Sequence, residues 1–458
     1  MATANLKKYR ILDRDHFKFS KNGMTLIALF FILWFAFAIR ISWVIFIEPL
    51  HADIGYDGVR YDQIATNLLN KEGFGYYPNT PSSWRPPGYP FFLYAIYALF
   101  GHSIFVARIM QCLLGTAICL ILFLLTKKLT RDMPHGEKIA LLAAFLYAVD
   151  YYSIVIIQAL YTELFSSLLI ILSIYLFYSA DQASPQKTNI LFFLASVILW
   201  HATLTRPANI LFWAWVGIWF FLENRKDLKR VLRAFLIVLF TFCMTVLPWT
   251  IRNHNLHKKF LLVSSNGGFI FFMAHHPHSE GGFIPEGPLR YTPQQEEELK
   301  GLNEIDSQKK HFQYGLDWIR KNPARELHLI LLKQKHLWAH PESPYVFYDF
   351  LSYLPFPLTT FHLLSIFFIP GLYYSWKYCK PFFLPLAYIL NHSLIISFIY
   401  FYDGPRMRIE LLPPLTIFAS IGIINLLTSP IKTLTRKLTG TNNPFYGHPH
   451  SFPRIKKT

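Results

Sequence analysis

The chain has 458 residues, 53% of them hydrophobic, 17% aromatic and only 16% charged, with a formal net charge of +17. Soluble domains average about 25% charged residues, so this composition excludes an ordinary cytosolic enzyme. Cys112, Cys119, Cys243 and Cys379 lie in or beside apolar runs without a CxxC pair, which argues against a zinc ribbon or a disulfide framework.

A helix that crosses a bilayer needs about 20 mostly apolar residues, because hydrocarbon offers nothing to an open backbone. In chain order the apolar runs are Met24 to Ile47, Ser103 to Thr126, Ile139 to Ile157 and Leu160 to Ala180. Two shorter runs follow, Ile190 to Leu204 and Ile210 to Leu222, and then Val231 to Thr250. The last three are Leu358 to Trp376, Pro381 to Phe401 and Ile409 to Leu427. This predicts about ten spans. The first exceeds the ~7–15-residue core of a signal peptide and no A-x-A site follows it, so it reads as a retained anchor.

Every second connection is basic. The N-terminal tail carries Lys7, Lys8, Arg10, Arg14, Lys18 and Lys21, and later loops carry Lys127, Lys128, Arg131 and Lys138, then Lys187, then Arg225 to Arg233. Lys377 and Lys380 follow, and the C-terminal tail has Lys432, Arg436, Lys437, Arg454, Lys456 and Lys457. Short loops rich in Lys and Arg stay in the cytoplasm, so both chain ends are expected inside. Much of the positive charge is thereby topological, and without a nucleic-acid-binding motif no nucleic-acid partner is expected.

The fold class predicted is an all-α polytopic membrane protein. Its parts are a basic cytoplasmic tail (1–23), an N-terminal transmembrane module (24–250) with a first outer loop (48–102), an outer domain or long loop (251–357), C-terminal transmembrane helices (358–428) and a second basic tail (429–458). In the first outer loop Asp57, Tyr61, Ala65 and Leu68 share one helical face, and Gly73 and Gly75 end that helix. A rigid Trp84-Arg85-Pro86-Pro87 turn then feeds Phe91 to Phe100, an interfacial stretch too short to cross. The long outer segment has helix-like stretches at Gln294 to Lys300, Gln308 to Lys321 and Arg325 to Trp338.

On this topology the polar residues gather on the outer side. Asp53, Asp57, Asp62 and Arg85 flank the first loop, with Glu163 at one end of the fourth span and Asp150 on the facing turn. Arg206, Arg252, Asp403, Arg406 and Arg408 lie at the outer ends of later spans. Charges at a membrane boundary are costly unless paired or used, so acids and bases from separate loops point to an anionic ligand. Bland readings stand beside this one: Asp57 as a residue favoured by a helix dipole, Glu163 paired across the bundle, and the arginines snorkelling to head groups. Asp53, Asp62 and Asp150 are expected to be solvated, and His275, His276 and His278 to form a polar loop rather than a metal site.

The motifs resemble those of the polytopic GT-C glycosyltransferases that use lipid-linked sugars, in the bacterial branch akin to protein O-mannosyltransferases and the lipid A aminoarabinose transferase. They run in order as YDGVRYDQIATNLLNKEGFGYYP, SSWRPPGYPFFLYAIYALFGHS, LYTELF, LTRPAN, LPWTIRN, SSNGGFIFF and PRMRIELLPPL. The resemblance implies a GT-C-like fold and inverting transfer of one sugar from a polyprenyl-phosphate donor to a protein, lipid or glycan acceptor. The site would face outward from the bilayer, in the periplasm if the membrane is a bacterial inner membrane. It implies Asp57 as the catalytic base, Glu163 as a second acid, and Tyr61, Arg85, Arg206, Arg252, Arg406 and Arg408 as substrate contacts. The family often has Asp-Glu where this chain has Asp57-Gly58, which weakens a divalent metal held by paired acids and favours arginines as phosphate neutralisers. A secondary transporter would need repeated halves with mid-bilayer charges, and a non-catalytic glycan-binding or assembly protein would tolerate loss of Asp57.

Overall fold

Residues 21–47, 54–284, 286–287, 289–339, 360–376 and 380–439 are described by a computed structural model. Asp53, Lys377 and most of both basic tails lie outside the described residues. Helices dominate, and among the described residues there is no β-strand, only isolated bridges.

The apolar runs fold as helices whose exposed faces are themselves apolar. Helix α1 (Lys21–Ser42) passes into a π turn at Trp43–Ile47. It exposes Met24, Leu26, Phe30, Phe31 and Trp34, as a helix bathed in lipid does. The first loop forms α2 (Tyr56–Leu69) and α3 (Gly88–Phe100), packed together through Tyr61, Ala65, Tyr89 and Leu93. Helix α4 (Ile104–Leu129) leads to α5 (Gly136–Ala148), and the short α6 (Tyr151–Val155) follows.

The stretch expected as one span at Ile139 to Ile157 is therefore broken, with a 56° bend. Two buried charges hold the break. Arg40 donates to the carbonyls of Tyr147 and Ala148 at 3.2 and 3.1 Å, placing a cation on the C-terminal end of α5. Asp150, expected in solvent, is fully buried and caps α6 by accepting from the Ser153 amide at 2.8 Å.

Helices α7 (Thr162–Asp181), α8 (Pro185–Thr205) and α9 (Phe212–Asn224) follow, then the bent pair α10 (Leu228–Thr245) and α11 (Leu247–His257). The long segment contributes α12 (Gly267–Ala274), α13 (Pro293–Leu299), α14 (Glu304–Lys321) and α15 (Pro323–Ala339), close to the helices expected there. Three apolar helices close the bundle: α16 (Thr360–Trp376), α17 (Phe383–Phe398) and α18 (Leu412–Thr439). Gly371 of α16 lies so close to α18 that an added Cβ would strike the Phe418 carbonyl. Small residues permit this kind of backbone approach between apolar helices.

Among the described residues four helices are long and apolar enough to cross a membrane: Gly23–Phe46, Ile104–Leu129, Thr162–Asp181 and Lys187–Thr205. Counting each bent pair as one span gives six. The other apolar stretches, Gly88–Phe100, Phe383–Phe398 and Leu412–Thr428, are shorter, so the expected ten crossings exceed what length and composition give directly among the described residues. Of the two runs expected to be short, the one around Trp200 is part of a full-length helix, whereas α9 stays at 13 residues.

Candidate active site

Three chain segments meet at one end of the bundle. The start of α2 docks on the turn before α7, where the Leu160 amide donates to the Ile54 carbonyl at 3.1 Å. Gly55, with φ +78°, begins this helix where an added side chain would collide with Tyr161. Gly58 lies with its Cα face against Leu160, an added Cβ falling 3.2 Å from the Leu160 nitrogen. The position next to Asp57 is thus a packing contact rather than a second acid. Gly88 brings the start of α3 against Thr205, the last residue of α8, which places Arg85 and Arg206 on the same wall. The third segment is the tight turn Pro405–Arg408, entered through Gly404 at φ +68°.

The charges interlock. Arg85 reaches one Asp57 oxygen at 2.5 Å and donates through Nε to the Tyr76 hydroxyl at 2.9 Å. Arg406 reaches the other Asp57 oxygen at 2.8 Å, while its Nε lies 3.0 Å from Asp403 and 3.4 Å from Glu163. Arg206 pairs with Glu163 at 2.7 Å and with Glu410 at 3.2 Å. The Arg85 guanidinium faces the Tyr61 ring at 5.4 Å, and that of Arg406 faces the Tyr161 ring at 4.6 Å. Asp57 and Glu163, 106 positions apart in sequence (163 − 57), are therefore joined through a single guanidinium.

Burial makes these contacts strong. The side chains of Glu163 and Glu410 are 2% and 3% exposed and that of Arg206 14%. Burial alone pulls the Asp57 carboxyl upward, but the guanidiniums of Arg85 and Arg406 outweigh it and hold the group well below the usual carboxylate range. At Asp403 the balance reverses, and burial pushes its carboxyl up despite Arg406. Asp57 and Asp403, two of the three acids around Arg406, are thus driven apart in basicity, a common arrangement where one site needs two protonation roles.

Of the residues singled out in the sequence, Asp57, Tyr61, Arg85, Glu163, Arg206 and Arg406 converge. Arg252 and Arg408 are not brought to this cluster. Arg252 donates to the Ser82 and Phe74 carbonyls, to Ser83 and to Asn253, and so ties α11 to the first loop. Arg408 is fully buried and donates to the His336 and Leu337 carbonyls at 2.7 and 2.9 Å, a cation on the last turn of α15. Asp62, expected in solvent, accepts from the Tyr97 hydroxyl at 2.6 Å and contacts His102. The expected polar loop at His275 and His276 is buried instead; His275 pairs with Glu326 at 2.9 Å. Among the described residues no group of three or more His, Cys, Asp or Glu is placed to hold a metal.

Glu410, His392, Tyr76 and Tyr161 complete the site without having been read from the sequence. Glu410 also lies 3.5 Å from Nδ1 of His392, whose Nε2 donates to the Met407 carbonyl at 2.8 Å. The available signal was a carboxylate inside an otherwise apolar run, IELLPPL.

The family model for dolichyl-phosphate-mannose-protein mannosyltransferase matches residues 84–249. That stretch contains Arg85, Glu163 and Arg206 and excludes Asp57, Tyr61, Arg252, Arg406 and Arg408. Among solved structures, the apo Archaeoglobus fulgidus oligosaccharyltransferase superposes with a TM-score of 0.53 at 12% identity, over 92% of this chain and 53% of that one. The same organism's oligosaccharyltransferase AglB, in complex with an inhibitory peptide and a dolichol-phosphate, gives 0.50 at 13% identity over 92% and 53%. ArnT from Cupriavidus metallidurans bound to undecaprenyl phosphate gives 0.49 at 14% identity over 93% and 66%. This chain thus spans about half the length of the oligosaccharyltransferases it superposes on. A comparison with curated proteins found no match.

The class that these findings define is the GT-C fold. Within it, the stretch from Trp84 to Trp249 carries the mannosyltransferase family's signature, as the motif order implies.

Proposed function

We propose that the chain is a membrane glycosyltransferase that moves one sugar from a polyprenyl-phosphate donor to an acceptor hydroxyl or phosphate at the outer face of a bilayer. The observation that carries this reading is the Asp57–Arg406–Glu163 bridge, built from three distant segments at the first turn of the apolar helix α7. The bound dolichol-phosphate in the AglB structure supports a lipid-phosphate donor for the fold. The shorter apolar helices complete about ten crossings in a bilayer. A bacterial inner membrane with a periplasmic site accords with the motif branch.

The chemistry follows from the charges. A lipid phosphate leaves well if preorganised guanidiniums meet the charge that develops on it. Arg85 and Arg406 are the candidates, and both contact Asp57. As phosphate draws them away, the lowering influence on Asp57 weakens and burial raises its basicity. Asp57 then accepts the acceptor's proton as its oxygen attacks the anomeric carbon, with inversion in a single displacement. Such general-base help is worth about 10²–10⁴-fold. Glu163 fixes Arg206 and Arg406 in register for this exchange.

Mass spectrometry of glycans and envelope lipids, from cells with and without the chain, tests the reading. A sugar-sized mass increment that depends on the chain supports it. Identical profiles, together with uptake of a labelled solute into proteoliposomes, would favour a transporter.

A further inference from the structure

One cavity lies apart from the charged cluster, in the long segment between α10 and α16. It measures about 410 Å³, within the range of small-molecule sites. One wall is a face of α14, where Ile305, Gln308, Lys309 and Phe312 recur at helical spacing. The other is the chain leaving α11, through Phe260 and Leu261. Phe260 is 77% exposed and Phe312 45%, so two rings stand open at the mouth. Glu304 braces the walls, accepting from the Ser265 and Ser82 hydroxyls and from the Ser83 amide.

Its polar groups suit a guest that carries negatively charged oxygen. Gln308 is 7% exposed, and its Oε1 accepts from the Phe269 amide at 2.8 Å. That leaves Nε2 a shielded donor with no acceptor among the described residues. A buried donor without an acceptor is costly, and a ligand oxygen relieves that cost. Lys309 beside it is exposed and makes no ion pair among the described residues. The acids nearby are engaged, Asp306 by Lys259 and Asn303 and Glu304 by its three donors. Lys258, also exposed, adds positive charge two residues before Phe260.

Depth selects the kind of guest. Helices α10 and α11 together pass for one bent span. About 20 helical residues, at about 1.5 Å each, traverse the hydrocarbon of a bilayer, and counted from Val231 they end near Thr250. Thr250 donates to the Leu262 carbonyl at 2.9 Å, and Asn253 to that of Leu261 at 3.3 Å. The wall that carries Phe260 and Leu261 is therefore level with the edge of the hydrocarbon, at the depth of lipid head groups. Apolar rings beside lysines bind that layer, and anionic lipids add electrostatic attraction.

We propose that this cavity binds one anionic phospholipid of the adjoining leaflet. Its phosphate meets Lys309 and the Gln308 amide, and the upper part of an acyl chain lies among Phe260, Leu261, Ile305 and Phe312. The lipid is held and not turned over, so the seat stands whether or not the chain transfers sugar.

The test is native mass spectrometry of the full chain in nonionic detergent, titrated with dioleoyl phosphatidylglycerol or dioleoyl phosphatidylcholine, which share their acyl chains. Wild type is expected to bind one phosphatidylglycerol about tenfold more tightly than phosphatidylcholine. Lys309→Gln, at an exposed position, should weaken phosphatidylglycerol about fivefold and leave phosphatidylcholine within about twofold. Gln308→Glu keeps the oxygen that faces Phe269 and puts a carboxylate in place of the donor, and it should do the same. Phe260→Ser should weaken both lipids by similar factors, because the chain contact is common to them. Equal phosphatidylglycerol binding by wild type and Lys309→Gln would overturn the seat, as would wild type without preference between the two lipids. Lys309-dependent binding of a soluble Glu/Phe peptide, with phosphatidylglycerol unmoved by Lys309→Gln, would give the cavity to a protein segment instead. Either failure, with release of polyprenyl phosphate intact, removes the lipid seat and leaves the glycosyltransferase reading standing.

Discussion

Arg206 is the keystone of the buried charges, and its removal has a calculable cost. It is the guanidinium between Glu163 at 2.7 Å and Glu410 at 3.2 Å, both carboxylates almost wholly shielded from solvent. Arg206→Gln leaves Glu410 with the His392 ring at 3.5 Å and the Tyr388 hydroxyl, and Glu163 with the edge of Arg406 at 3.4 Å and the Thr162 hydroxyl. Breaking a buried pair by removing one partner costs about 3–5 kcal/mol, because the charge left behind is uncompensated. Glu410→Gln is milder, about 1–3 kcal/mol, since the amide oxygen still accepts and Arg206 keeps Glu163. In the double variant no charge is stranded at position 410, so the combined loss should fall short of the sum by about 1–3 kcal/mol. The assay is reversible unfolding in mixed micelles, titrated with dodecyl sulfate and followed by tryptophan fluorescence. Additivity within about 0.5 kcal/mol would refute the shared ion pair.

Further outcomes are expected at other positions. Because Arg85 and Arg406 hold the Asp57 carboxyl below its ordinary range, the acid limb of the kcat/KM profile should lie below about pH 4 in wild type. Arg406→Gln should move that limb upward by a pH unit or more; an unmoved limb would detach Asp57 from Arg406. The same depressed carboxyl stabilises the fold above its unfolded pKa, and that contribution is lost as pH falls through the folded value, so acid unfolding should begin earlier in Arg406→Gln. Gly371→Leu should push α16 from α18 and cost about 1–3 kcal/mol of overpacking, read by the same micelle titration. Gly58→Ala should tighten the contact with Leu160 by a few tenths of an ångström and lower the melting midpoint slightly, whereas Gly58→Glu should displace α2 and abolish transfer.

What the sequence made legible was the placement of charge against apolar runs. Arg85, Glu163, Arg206 and Arg406 each sit where an apolar run or a proline turn begins or ends, and Asp57 opens a helical pattern after the first run, so a shared boundary follows from the sequence alone. Arg408 stands two residues from Arg406 with the same surroundings in sequence, yet the short turn sends one into the cluster and the other to the carbonyls of α15. That choice depends on where α15 ends in space, which no local pattern carries. Asp150 was misread for a related reason. Its burial follows from a helix break that Arg40, more than a hundred residues away, makes affordable. Glu410 was passed over because it reads as the start of an apolar span, and only the position of Arg206 explains its charge. Helix lengths were legible where the run was long, as in α4 and α7. They were not where α8 begins at Pro185, ahead of its apolar run, or where α10 bends away from α11.

The most direct measurement is release of free polyprenyl phosphate from polyprenyl-phosphate sugars by the purified chain, supplied with an extract of its own membrane as acceptor and followed by mass spectrometry. Wild type should release it from at least one donor, and Asp57→Asn should slow that release by about a hundredfold or more while its unfolding midpoint stays within reach of wild type. Turnover by Asp57→Asn at the wild-type rate, or no release from any donor, would contradict the role given to the Asp57–Arg406–Glu163 bridge.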